Sequence, residues 1–270
     1  MGRLYGMSYW REKVGLITGG SSGLGLAVAR QLVERDAKVI LVSRGEAALN
    51  AAAESLPGDV LPIVADVTQP ADVARAVEAG LKRFGRLDLL CHAAGRSMRG
   101  EVLATTREEF EDLWRVNFLA ATDLVRAMSE WLVAARGHVV LIGSLASRVA
   151  PRYLGAYPTS KFPLAAYAQQ LRMELGPQGL HTLLVCPGPI AREESGPRYE
   201  ADGVPDAAHR PGGGARLKAL DPNRLAAKIL DACERRKTEL VIPRRSRVLL
   251  ILNQISARWG DWLLSRTTGG

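Results

Sequence analysis

Residues 14–25 read Val-Gly-Leu-Ile-Thr-Gly-Gly-Ser-Ser-Gly-Leu-Gly, and this stretch decides the fold. Val14–Thr18 is a short, unbroken apolar run, the pattern of a strand covered on both faces. Glycines follow at G-x-x-x-G-x-G spacing. Gly25–Arg35 then places Leu26, Ala29 and Val33 on one face of a helix. Strand, glycine turn and helix in that order open a βαβ unit. Glycines let the backbone turn tightly and approach a pyrophosphate closely. The helix behind them turns free N–H groups and its positive dipole end toward an anion. A glycine-rich turn alone can be a plain connection. Its place on the first βα unit points instead to dinucleotide binding through Thr18, Gly19, Ser21, Ser22, Gly23, Leu24 and Gly25.

The same rhythm continues downstream. Lys38–Val42, Val60–Val64, Leu87–His92, His138–Gly143 and Thr182–Cys186 read as strands, with a last one at Leu240–Pro243. Between them, Ala47–Ser55, Ala71–Phe84, Arg107–Ala134, Tyr157–Leu175 and Asn223–Glu234 read as helices, the third in one or two pieces. The expected fold class is α/β: one domain over residues 1–243, with a doubly wound, Rossmann-like parallel sheet of about seven strands and helices on both faces. Such a sheet binds ligands at the carboxyl ends of its strands. Residues 188–214 are rich in Gly, Pro and charge and are expected to form a lid. Residues 244–270 form a basic tail.

Composition narrows the function classes. The chain has 270 residues, 47% of them hydrophobic, which suits one sizeable core. Its net charge of +8 is compatible with an anionic cofactor, membrane or nucleic acid. No zinc-finger or RNP-type motif accompanies the charge, which argues against nucleic acid. Cys91, Cys186 and Cys233 are scattered, with neither disulfide nor metal spacing, so no metal is expected. No signal-peptide stretch, myristoylation pattern or run of 18 apolar residues occurs, and a cytoplasmic location is expected.

The second strand ends at Ser43-Arg44. An NAD site places Asp or Glu near here for the ribose 2′-hydroxyl. None is present, and the planar fork of Arg44 suits a 2′-phosphate, so NADP(H) is expected over NAD(H). Tyr157-Pro158-Thr159-Ser160-Lys161 puts Tyr and Lys at i and i+4, on one helical face. A nearby ammonium favours phenolate and lowers the tyrosine pKa from about 10. The pair can thus exchange a proton with a substrate oxygen. Ser144, just past the fifth strand, can bond the same oxygen or serve as a turn residue. Asn117 can anchor a relay water or bend its helix as a buried polar group.

These motifs together resemble the classical short-chain dehydrogenase/reductase family. Thr18-Gly-x-x-x-Gly-x-Gly25, Asp66-Val67, Ala94-Gly95, Asn117, Ser144, Tyr157-x-x-x-Lys161 and Pro187-Gly188 occur in the family's order across about residues 12–192. The resemblance implies an Asn117/Ser144/Tyr157/Lys161 tetrad acting on a carbonyl or alcohol, with hydride from the cofactor. It implies that Tyr157 moves the proton, that Ser144 orients the oxygen, that Lys161 also bonds the nicotinamide ribose and that Asn117 holds a relay water. It adds Asp66, Val67, His92, Ala93, Gly95, Pro187 and Gly188 to the cofactor contacts, and homodimers or homotetramers built on the Tyr/Lys helix. The alternative is a catalytically silent NADP(H) sensor or scaffold, whose usual sign is loss of Tyr or Lys. Departures are His92 in place of the usual Asn, as a substitute donor or a structural group, and Arg192 in place of the usual Thr. Pro158 and Pro163 are also unusual, and Pro163 is expected to remove one helix bond and bend the helix.

In the tail, Val248, Leu252, Ile255, Trp259 and Trp262 recur at helical spacing among arginines. The expectation is one amphipathic helix docked on the enzyme or a second subunit, with peripheral membrane contact as the alternative. The glycine-serine turn and the tail are similar to reductases of lipid-type ketones, which implies an apolar carbonyl or alcohol substrate.

Overall fold

The computed structural model describes residues 8–191 and 217–267. Seven strands form one parallel sheet in the order β3-β2-β1-β4-β5-β6-β7. They are β1 Val14–Thr18, β2 Lys38–Ser43, β3 Val60–Val64, β4 Leu89–His92, β5 His138–Ile142, β6 His181–Pro187 and β7 Glu239–Ile242. The central strands β1, β4, β5 and β6 are buried along their whole length, which is why they read as unbroken apolar runs.

Helices α1 Gly23–Val33, α2 Glu46–Glu54 and α7 Pro222–Glu234 cover one face. Helices α3 Pro70–Phe84, α5 Ala120–Ala134 and α6 Tyr157–Glu174 cover the other. Leu32, Leu49 and Ile229 fill the first core layer, and Val73, Leu124, Met128 and Leu164 the second. The doubly wound class is therefore as expected.

The segment Arg107–Ala134 is helical throughout but not uniform. Helix α4, Arg107–Trp114, starts with a capping box at Thr106 and Glu109. A π-helical turn, Arg115–Leu119, separates it from α5. Such turns concentrate at functional sites, and this one carries Asn117. In α6, Pro158 lies in the first turn, where its missing N–H costs nothing. Pro163 lies inside α6 without ending it. Only the bond to the carbonyl of Thr159, an exposed residue, is lost.

The tail differs from expectation. It forms two helices, α8 Ser246–Ile255 and α9 Ala257–Thr267, broken at Ser256, whose backbone is extended. Leu250 and Leu264 dock into the core, while Val248, Ile251, Ile255, Trp259 and Trp262 face outward. The docked face is thus not the tryptophan stripe. The break resets the helical phase that the spacing had implied.

Buried histidines tie the sheet together. Thr18 Oγ1 lies 3.0 Å from His92 Nδ1, and His92 Nε2 lies 3.3 Å from the Val116 carbonyl. The carbonyl can only accept, so Nε2 carries the proton and Nδ1 accepts from Thr18. At the amino ends of β5 and β6, His181 Nε2 donates to the Lys237 carbonyl at 2.8 Å. His138 Nδ1 then donates to His181 Nδ1 at 2.8 Å, and the Tyr9 hydroxyl donates to His138 Nε2 at 2.7 Å. Cys233 closes the group, with ligand-type atoms all within 4.8 Å. The spacing of residues in the chain did not reveal this cluster. Every ring nitrogen in it is already paired.

Burial holds His92 and His138 at about 3, far below the ordinary 6.5, with the Lys161 charge adding at His92. Unfolded, each binds a proton near 6.5; folded, neither does until about 3. Their stabilising contribution is complete above 6.5 and is lost toward 3 at about 1.4 kcal/mol per pH unit for each group. Thermal unfolding should therefore show a midpoint that falls steadily as the pH drops below 6.5. His92→Asn should retain the fold at neutral pH and fall less steeply; an identical acid slope in both proteins would contradict this role.

Candidate active site

The phosphate turn follows β1 at the point where strand order reverses, the usual ligand crevice of such sheets. A Cβ on Gly25 would fall on the Gly19 carbonyl, so only glycine lets the start of α1 pack on the turn. Ser22 occupies the N-cap of α1 yet makes no side-chain cap bond, and the first turn holds no acidic residue. The first N–H groups of α1 are thus left for an outside acceptor, and the positive helix end suits a phosphate. These residues fit a pyrophosphate.

The other expected contacts line the carboxyl ends of neighbouring strands. Ser21 Oγ and Ser43 Oγ are 3.0 Å apart, joining the turn to the end of β2. Arg44, next in sequence, is exposed and has no ion pair among the described residues. Asp66 Oδ1 accepts from the N–H and hydroxyl of Thr68 at 2.9 and 2.8 Å, leaving Oδ2 for a ligand. Val67 buries its side chain, so only its backbone remains available there. Thr18 Oγ1 also accepts from the Ala94 N–H at 3.2 Å, which pins the Ala93–Gly95 loop to β1. Thr18 and His92 are fully buried, so neither side chain is open to the surface of the crevice. The Gly188 N–H donates to the Ile242 carbonyl at 2.7 Å, which holds Pro187-Gly188 on β7. Arg192 and, from residue 192 on, the segment 188–214 expected to form a lid lie outside the described residues.

Asn117 is fully buried in the π turn. Its Oδ1 accepts from the Arg96 N–H at 3.0 Å, and Nδ2 donates to the Arg96 carbonyl and to Ser160 Oγ, each at 2.9 Å. Ser160 in turn donates to the Tyr157 carbonyl at 2.8 Å. Asn117 therefore fastens the loop after β4 to the first turn of α6. Both amide donors are spent, so a relay water would have only the remaining lone pair of Oδ1. The Tyr/Lys spacing by itself gives no role to Ser160. Its signal is a small hydroxyl residue on the buried face between Tyr157 and Lys161.

Lys161 is buried, and its Nζ donates to the Ile142 carbonyl at 2.9 Å. A Cβ on Gly95 would sit 2.7 Å from Asn117 Oδ1 and 3.3 Å from Lys161 Nζ, so three chain segments converge here with no room for a side chain. Burial pushes the Lys161 ammonium down to about 8. An ammonium held in the interior by a neutral carbonyl is costly, and such groups concentrate where charge does chemistry. Tyr157, half-buried, opens α6 one turn before Lys161. Ser144 caps the short helical turn Leu145–Ser147, which packs on α6, and its Oγ accepts from the Ala146 N–H at 3.1 Å. That bond leaves the hydroxyl proton of Ser144 to donate elsewhere.

The short chain dehydrogenase family model matches residues 13–201. Momilactone A synthase of Oryza sativa subsp. japonica is 35% identical over 222 residues, spanning 77% of this chain and 80% of that protein. A short-chain dehydrogenase from Streptomyces avermitilis superposes with a TM-score of 0.81 at 28% identity, covering 95% of this chain and 98% of that one. A Burkholderia phymatum short-chain dehydrogenase/reductase in complex with NAD gives 0.79 at 22% identity, over 97% and 98% of the two chains. The phosphate turn, the Tyr/Lys pair and the whole-domain match agree, and the chain belongs to the short-chain dehydrogenase/reductase family of NAD(P)(H)-dependent oxidoreductases.

Proposed function

We propose that this protein transfers hydride between NADP(H) and an apolar carbonyl or alcohol, with Tyr157 as the proton donor and acceptor. The observation that carries the reading is Lys161. It is buried and anchored on the Ile142 carbonyl, with Tyr157 one turn away and Ser144 two residues past its anchor. In reduction, the Tyr157 hydroxyl gives its proton to the carbonyl oxygen; in oxidation, it takes the alcohol proton. The Lys161 charge lowers the cost of the phenolate left behind. Ser144 donates to the same oxygen and orients it. Asn117 and Ser160 act as positioning residues that hold the start of α6 in place. When bound, the nicotinamide supplies or receives the hydride.

Gly19, Ser21, Ser22, Gly23, Leu24 and Gly25 would hold the pyrophosphate, Asp66 and Val67 the adenine, and Arg44 the 2′-phosphate. Ala93, Gly95, Pro187 and Gly188 would border the nicotinamide end, where Lys161 reaches the ribose. Support for NADP(H) is an unpaired arginine and no acidic residue at the end of β2. The family's habit of assembly supports a homodimer or homotetramer. The basic tail adds peripheral membrane contact, which suits an apolar substrate. A silent sensor on the same fold has no observation in its favour, since Tyr157 and Lys161 are both present.

Tyr157→Phe should lose about 100- to 10,000-fold in kcat with cofactor affinity unchanged, the usual weight of a positioned acid. Near-normal turnover on the same substrate would sink the assigned role. Arg44→Asp should weaken NADPH binding by about tenfold or more, the loss of a charge-assisted contact worth ~1.5–3 kcal/mol, while leaving NADH binding nearly unchanged. Equal losses for both cofactors in fluorescence titrations would contradict the 2′-phosphate contact.

A further inference from the structure

The two tail helices carry more apolar surface outward than a free domain surface explains. Val248, Ile251, Ile255, Trp259 and Trp262 are 61, 55, 69, 59 and 55% exposed. Val248, Ile251 and Ile255 share one face of α8, and Trp259 and Trp262 share one face of α9, while Leu250 and Leu264 hold those helices on the core. Leu252, Arg258, Trp259, Trp262 and Leu263 line a groove of about 500 Å³ at this face. Large apolar side chains gathered in the open beside a groove mark an interaction site.

Charge identifies the occupant. Residues 244–267 contain Arg244, Arg245, Arg247, Arg258 and Arg266 against one acid, Asp261, so the segment carries five positive charges and one negative. All five arginines are exposed. The Arg266 guanidinium lies over the Trp262 ring, 4.3 Å from its centroid. A second copy packed symmetrically on this face would set arginines against arginines. Residues 192–216 hold five acids and four arginines, close to neutral, and offer no charge match. An anionic bilayer satisfies both features at once: aliphatic and indole groups enter the acyl boundary while guanidinium groups remain at the phosphates.

We infer that α8 and α9 seat the protein on an anionic lipid bilayer. Among the described residues no helix is long and apolar enough to cross a membrane, so the contact is one of surface insertion. The seat adjoins the reaction end of the sheet. Asn253 Nδ2 on α8 donates to the Arg148 carbonyl at 3.3 Å, just beyond the Ser144 turn, and the Ile242 carbonyl before α8 holds Gly188. An apolar substrate dissolved in the bilayer would therefore reach the site without crossing bulk water. This delivery route rests on the apolar-substrate reading; the membrane seat does not.

The full chain and its Trp259→Ala/Trp262→Ala variant should be sedimented with phosphatidylcholine vesicles, with and without about 30% phosphatidylserine, at low and high salt. Both tryptophans are exposed, so the variant should keep its melting midpoint. Expected is binding to the phosphatidylserine vesicles that weakens at high salt and falls at least tenfold in the variant. Arg245→Gln/Arg247→Gln should weaken binding to anionic vesicles while leaving any residual binding to phosphatidylcholine unchanged. Absence of pelleting with either vesicle, or equal binding by wild type and tryptophan variant, would overturn the inference. So would a drop in solution mass of the variant without lipid, which assigns the face to a second copy. Reductase activity on a water-soluble ketone, measured alongside, reports on the proposed chemistry independently of lipid.

Discussion

The hydrogen bond from Lys161 Nζ to the Ile142 carbonyl is the constraint around which the site is arranged. It joins α6 to the end of β5, so the helix bearing Tyr157 and Lys161 and the turn bearing Ser144 cannot shift separately. It also keeps an ammonium in a place where burial opposes its charge. Asn117 supplies a second tie from α6, through Ser160, to the loop after β4. Thr18 ties that loop to β1 through Ala94 and His92. The glycine-rich turn and the Tyr/Lys helix are thus linked through Thr18, the loop Ala94–Arg96, Asn117 and Ser160. Buried polar networks of this kind are costly when incomplete and rigid when satisfied.

Much of this was legible in the sequence because it depends on local rules. Val14–Thr18 and its glycines need only strand burial and backbone permissiveness to be read. Tyr157 and Lys161 need only helical spacing. The apolar periodicity of Arg107–Ala134 gives its helical ends but not the π turn within it, because no residue type encodes an i→i+5 bond. His92 illustrates the same limit. Its identity as a departure was plain, but its partners lie 74 and 24 residues away, and only the sheet brings Thr18 and the Val116 carbonyl to its ring. The His138–His181 pair, on neighbouring strands and capped by Tyr9, was invisible for that reason.

The tail shows where periodicity misleads. Spacing alone gave a continuous helix with Leu252 on the apolar stripe. An extended residue at Ser256 divides it, and Ile251 takes the outward place. Hydrophobic residues then serve two purposes on the same helices: Leu250 and Leu264 complete the core, while the tryptophans remain outside it. A periodic pattern states which residues share a face, and the fold decides which way that face points.

The pH dependence of kcat/KM for carbonyl reduction tests the central claim most directly, because it reports ionisations of the free enzyme. With Lys161 holding the charge beside Tyr157, the rate should be level near neutrality and fall through a break near 8 as the ammonium deprotonates. A profile that stays level until the ordinary lysine value of 10.5 would contradict the account, since the charge supporting Tyr157 would then not be the buried one.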